Sequence, residues 1–177
     1  MALEKWEIDI ARSSVGFTVR HMVVTKVHGR FTRWSGVLEL DPGNLTAGNV
    51  RASIEAASIE TRDALRDGYL RSADFLDPEK HPTLEFRSTR IEEVGRKKYK
   101  VPGDLTIRGV TREVVLDTVL AGQRGDGALG STIKFEATTK IDRRTFGLEW
   151  SAALEAGGFL VGDSVDVALA IEVKRSL

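Results

Sequence analysis

Residues 104–117 read Asp-Leu-Thr-Ile-Arg-Gly-Val-Thr-Arg-Glu-Val-Val-Leu-Asp. Ahead of the Arg108-Gly109 pair, Tyr99, Val101, Leu105 and Ile107 share one parity of position; behind it Val110, Val114 and Leu116 share one. Strand side chains point alternately to two faces, so each run builds a strand with one apolar face. Two such runs joined by a pair ending in glycine predict a tight β-hairpin, because a two-residue primed turn needs positive φ, which a Cβ resists. The rest of the chain must supply what that apolar face packs against or encloses.

The same alternation recurs to either side. Trp6, Ile8 and Ile10 form a half-buried strand, residues 11–13 read as a turn, and Val15, Phe17 and Val19 continue on one face with His21 on the same apolar parity. Alternation resumes over Trp34, Gly36, Leu38 and Leu40 and stops at Asp41-Pro-Gly-Asn44; Phe31 is out of phase with Trp34, which predicts a bulge between them. Val50, Ala52, Ile54 and Ala56 give a strand whose small inward residues leave room. Residues 61–76 hold the one helical pattern, with Thr61 as the expected cap and Leu65, Tyr69 and Leu70 as the apolar stripe. This piece is expected to lie over one end of the sheet. Leu84 and Phe86 return to strand, Ile133, Phe135, Ala137, Thr139 and Ile141 alternate again, residues 142–162 read as loop, and Val165, Val167, Leu169, Ile171 and Val173 close the pattern.

About eight or nine strands separated by turn chemistry, against one short helix, exclude a doubly wound parallel sheet and predict an all-β, mainly antiparallel barrel or sandwich. An eight-stranded barrel is the size that either fills itself with side chains or holds one small ligand. With 177 residues, the chain can bury a core as one domain, 1–177.

Composition narrows the function classes. Lys and Arg number 26 and Asp and Glu also 26, so the excess of positive charge typical of a nucleic-acid binder is absent. The chain has no cysteine, which removes disulfides, thiolate metal sites and thiol catalysis together. No run of about 18 apolar residues suits a membrane span, and no signal-like segment precedes Trp6, so the expectation is a cytoplasmic protein unless a signal was removed.

The remaining motifs are weak. Gly125-Asp-Gly-Ala-Leu-Gly130 matches the dinucleotide fingerprint in letters, yet a strand follows it where a helix is required, so it reads as a hairpin loop. His21, His28 and His81 have no short metal-ligand spacing, and no G-x-S-x-G elbow is present, so neither metal nor cofactor is expected. Arg96-Lys-Lys-Tyr-Lys100 reads as a turn and the solvent face of a strand. Asn44-Leu-Thr46 is a glycosylation sequon in form only. Asp63, Asp67, Asp74 and Asp77 interleave with Arg62, Arg66 and Arg71, the pattern of a solvated, ion-paired face. The sharper alternative is that one of these arginines reaches over the barrel mouth to an anionic head group.

Several pieces in order resemble one family, the YceI-like or polyisoprenoid-binding proteins. They are Trp6-Glu-Ile-Asp9, Ser13-Ser-Val-Gly-Phe17 and Val19-Arg-His21; Val27-His-Gly-Arg-Phe31 with Ser35-Gly36; Ser58-Ile-Glu-Thr61, Arg66-Asp-Gly-Tyr-Leu70 and Ser72-Ala-Asp-Phe75; His81-Pro82 and Phe86; Gly103-Asp-Leu-Thr-Ile-Arg-Gly-Val-Thr111; and Phe146-Gly147 with the Val165 strand. The run 103–111 is the most specific. The resemblance implies an extended lipocalin-like eight-stranded barrel with a helix and loop insertion near residues 61–80, holding a long isoprenoid or other lipid tail. It further implies a carrier or storage protein, often a homodimer, often exported, and not an enzyme with a known reaction.

Parity then names the expected lining: Val15, Phe17, Val19, Leu38, Ile54, Leu84, Phe86, Leu105, Ile107, Phe135 and Leu169. His21 is the first candidate for a polar contact inside, with Arg66 and Arg71 near the mouth. Two other readings compete: an enzyme acting on a lipid-like substrate through His21 and a neighbouring acid, and a protein-interaction module using Trp150 and Phe159 as anchors.

Overall fold

A computed structural model describes residues 3–21, 25–125, 131–148 and 161–175, with the backbone alone at residues 20, 21, 25, 161 and 162. Among them the strands are β1 (Glu4–Ile8), β2 (Ser14–His21), β3 (Thr25–Phe31), β4 (Trp34–Leu40), β5 (Asn49–Glu55), β6 (Ile59–Glu60), β7 (Thr83–Ser88), β8 (Glu92–Gly95), β9 (Lys98–Ile107), β10 (Val110–Arg124), β11 (Thr132–Asp142) and β12 (Val161–Arg175). One α-helix, α1 (Ala64–Leu70), accompanies them.

The twelve segments combine into eight long strands. β1 and β2 pair in sequence along β12, with Trp6 opposite Arg175 and Val15 opposite Leu169. They pair on their other side with β4 and β3, with Trp6 opposite Leu38 and Val15 opposite Phe31. β5 and β6 continue that ladder, and β7 and β8 divide the length of β9 between them. Around the ring each long strand lies antiparallel to its chain neighbours, and the pairing of β1 with β12 closes an eight-stranded barrel.

The joints within the long strands have local causes. A bulge was expected between Phe31 and Trp34, but the extra residues lie on the facing strand between Ile54 and Ile59; Thr32 and Arg33 form a bend, with Thr32 N donating to Ser58 O (3.1 Å) and Arg33 O accepting from Glu55 N (2.9 Å). Residues 11–13, expected to be a turn, reverse nothing. Residues 10–12 form one 3-10 turn that kinks a continuous strand, while Asp9 N and Ser13 Oγ keep the ladder to Glu172 intact, at 2.8 Å to its carbonyl and 2.9 Å from its N–H. The last strand begins at Val161, two residues ahead of Asp163, within the stretch read as loop.

The β9–β10 hairpin turns on Arg108 (φ 50°) and Gly109 (φ 74°), the doubly left-handed pair a type I′ turn requires. Arg108 holds that conformation while its guanidinium donates to Phe75 O (2.8 Å) and Ala73 O (3.0 Å), so the hairpin tip is tied to the segment after α1.

Two apolar clusters occupy the barrel. One, at the end covered by α1, joins Leu70, Phe75 and Leu76 to Leu84, Phe86, Leu105, Ile107, Phe146 and Leu148. The other closes the opposite end with Trp6, Leu38, Leu40, Leu45, Ile133 and Val173.

Candidate functional site

Between the two clusters lies a cavity of ≈ 290 Å³. Its walls are inward side chains from all eight long strands, and nearly every lining group is aliphatic or aromatic. Of the positions expected from parity, Val15, Phe17, Val19, Leu38, Ile54, Leu84, Phe86, Leu105, Ile107, Phe135 and Leu169 all face this space.

Close backbone approach makes room for two of the rings. Phe17 lies against Gly29, where a Cβ would sit 2.2 Å from its Cζ, and Phe86 lies against Gly103. Phe17 also tilts against Phe31, with centroids 5.8 Å apart and planes at 51°. Glycine in these strands is the counterpart of an inward aromatic ring.

The polar groups divide differently from the expectation. Arg66 lines the cavity; its Nε donates to Thr61 Oγ1 and its Nη2 to Thr61 O, each at 2.8 Å. Arg71 does not reach the cavity, because its guanidinium is spent on backbone, donating to Ala57 O (2.8 Å) and Ile59 O (2.6 Å). The His21 side chain lies outside the described residues, as do Trp150 and Phe159 and residues 126–130 of the glycine-rich loop.

The helix itself corrects two expectations. Asp63, not Thr61, caps α1, its carboxylate accepting from Arg66 N at 3.1 Å. Thr61 instead gives its N–H and hydroxyl to Asp67, and Asp67 and Asp77 are buried, so the acidic residues here are not one solvated face. Arg62 (φ 63°) and Asp77 (φ 50°) bracket the segment with left-handed backbone.

Sequence reasoning missed several lining groups. Val165, Val167 and Ile171 share the parity of Leu169 and were within reach of the same rule. Tyr99 faces the cavity, and burial followed by the nearby Glu93 carboxylate pushes its phenol pKa up. Arg143 carried no signal, because it sits in the 3-10 turn after β11, outside any alternation. Its side chain is 9% exposed, lines the cavity, and donates to Leu148 O (2.6 Å) and Asp163 Oδ1 (3.1 Å). No group of three or more His, Asp or Glu among the described residues is placed to hold a metal.

The YceI-like domain model matches residues 6–173 of this chain. The chain belongs to the YceI-like family. A UPF0312 protein of Vibrio cholerae is 33% identical over 139 residues, which is 78% of this chain and 74% of that protein. Among solved structures, Burkholderia cenocepacia BcnA superposes with a TM-score of 0.79 at 25% identity, covering 93% of this chain and 98% of that one. A Saccharophagus degradans polyisoprenoid-binding domain, described as implicated in plant cell wall breakdown, shares the fold with a TM-score of 0.72 at 18% identity, covering 97% and 98%. The YceI-like barrel here has no helix among its described residues long and apolar enough to cross a membrane.

Proposed function

We propose that this YceI-like protein binds a long-chain lipid, a polyisoprenoid or a molecule of similar shape, in the barrel interior and carries or stores it without chemical change. The observation that carries the reading is the apolar cavity running between the two end clusters. An apolar void of this kind gives water too few partners, so an apolar guest is its better occupant. Each buried methylene contributes about 0.8 kcal/mol, and roughly twenty would give on the order of 16 kcal/mol gross. Association and ordering then cost several kcal/mol or more. Affinity can therefore come from the tail, with a few polar groups fixing which end faces out. The fold neighbour described as polyisoprenoid-binding supports the shape of the guest. The residues proposed to contact it are the parity-matched lining, from Val15 and Phe17 on β2 to Leu169 on β12.

Native mass spectrometry of the purified protein, followed by organic extraction, tests this. A bound long-chain lipid is expected, and Phe17→Asp, which puts a charge into the lining, should abolish its retention. An extract without lipid, together with no uptake of added prenols, would count decisively against the proposal.

A further inference from the structure

The ladder between the first two long strands of the barrel is broken in its middle. It runs from Glu4 opposite Leu40 to Glu7 opposite Val37 and resumes at Val15 opposite Phe31, so that residues 8–14 face the shorter stretch 32–36. Neither a hydrogen bond nor an ion pair joins residues 9–13 to residues 32–36.

Each edge of this seam is satisfied from its far side. Asp9 N donates to Glu172 O (2.8 Å) and Glu172 N donates to Ser13 Oγ (2.9 Å), which ties the kink to β12. Trp34, Ser35 and Gly36 pair with Ile54, Ser53 and Ala52 on β5, and Thr32 N donates to Ser58 O. Parting a paired ladder would leave its backbone groups unmatched. The edges 9–13 and 32–36 can part without that cost.

What fills the break is apolar. Ile8, one step past the last ladder pair, stands across from Gly36, and a Cβ built at Gly36 would lie 2.5 Å from Ile8 Cδ1 and 3.5 Å from Ala52 Cβ. Gly36 and Ala52 thus leave a recess in the wall, and the half-buried Ile8 plugs it. Ile8, Ala52 and Phe86 each border the cavity on one side and, on the other, a trough on the outer surface of the barrel. Beside the seam the lip of that trough is apolar too, with Val37 and with Ile10, which is 37% exposed.

We infer that this seam is a lateral port of the cavity, opened when Ile8 leaves Gly36, and that the guest passes between the kink and β4. Ile10 and Val37 offer an apolar tail a surface to meet before it enters. The inference rests on the lipid-binding reading and adds a route through the side wall of the barrel.

Geranylgeraniol delivered from cyclodextrin is the probe, with uptake and release followed by stopped-flow through the fluorescence of Trp34, which lines the cavity. Ile8→Ala is expected to quicken uptake by about ten-fold, the worth of roughly two methylenes of seam packing. Leu116→Ala, across the barrel on β10, should quicken release only, because it loosens the bound guest without opening a route. The chain has no cysteine, so Ile8→Cys with Gly36→Cys supplies one defined pair at facing strand positions, whose Cα separation a disulfide can span. Closing that pair should slow uptake and release by about ten-fold or more, since the same packing can no longer be given up. Reductant should restore both rates in the same sample, which also reports that the stapled barrel is folded. Unchanged uptake in the oxidised pair, or in Ile8→Ala where the pair does not close, overturns the port and leaves the lipid reading standing. Geranylgeraniol that never enters the unsubstituted protein overturns both.

Discussion

The Phe86 ring lies over Gly103 on the neighbouring strand, so closely that a Cβ at position 103 would stand 2.4 Å from Phe86 Cζ and 2.7 Å from Arg87 O. One contact is with a ring held in the barrel wall and the other with backbone, and neither can yield cheaply. Gly103→Ala is expected to destabilise the fold by roughly 1–3 kcal/mol, read as a lower urea midpoint at constant slope. Gly68, inside α1 with nothing within 4 Å of a built Cβ, is the contrasting case. Gly68→Ala should stabilise by about 0.5–1 kcal/mol.

Asp67 and Thr61 anchor the helix that covers one end of the cavity. Asp67→Ala removes the acceptor of the Thr61 N–H and hydroxyl, leaving buried donors unmatched at a cost of roughly 1–3 kcal/mol. The effect is expected to be local: amide exchange should rise over residues 61–76 and stay unchanged in β10 and β11. Uniformly faster exchange throughout the barrel would contradict a local anchor.

Ala137 faces the cavity from β11, opposite Leu169 on one side and Thr118 on the other. Ala137→Phe places a ring across the interior. Lipids with long tails should lose affinity more than those with short tails, because each methylene kept out of the barrel forfeits about 0.8 kcal/mol. Equal losses for a C10 and a C20 prenol would show that the tail does not pass this level.

Tyr99 gives an optical report on the interior. Burial, and then the Glu93 carboxylate, hold its phenol pKa above the ordinary tyrosine value. The neutral phenol is the form the folded state favours, so its contribution to stability is complete below the ordinary pKa and is lost as pH rises through the folded one. The chain has two tyrosines, so Tyr69→Phe isolates the signal. Phenolate absorbance should appear later in the alkaline titration than for free tyrosine, and later still after lipid loading, which removes water from beside the ring.

Alternation alone located the hairpin at 108–109, the change of phase after Phe31 and eleven apolar positions that now face one cavity, because the side-chain period of a strand is local and survives without knowledge of its neighbours. The same rule reaches Val165, Val167 and Ile171 once the parity of Leu169 is fixed. The kink at residues 10–12 was not legible, since a 3-10 turn inside a strand and a reversing turn both interrupt the alternation over the same few residues. Only the register to Glu172 tells them apart.

Arginine placement shows the limit most clearly. Arg66 and Arg71 stand five positions apart in one segment, yet Arg66 faces the cavity and Arg71 is drawn to the carbonyls of Ala57 and Ile59. Arg143 reaches the same wall from a turn with no periodicity. The sequence by itself determined the succession of strands along the chain, their mainly antiparallel sense and the apolar character of the inward face, all properties of short-range pattern. Tertiary structure decided closure of the ring through β1 and β12, the size of the space left inside and which cations meet it, because these depend on acceptors and walls contributed by residues distant in the chain.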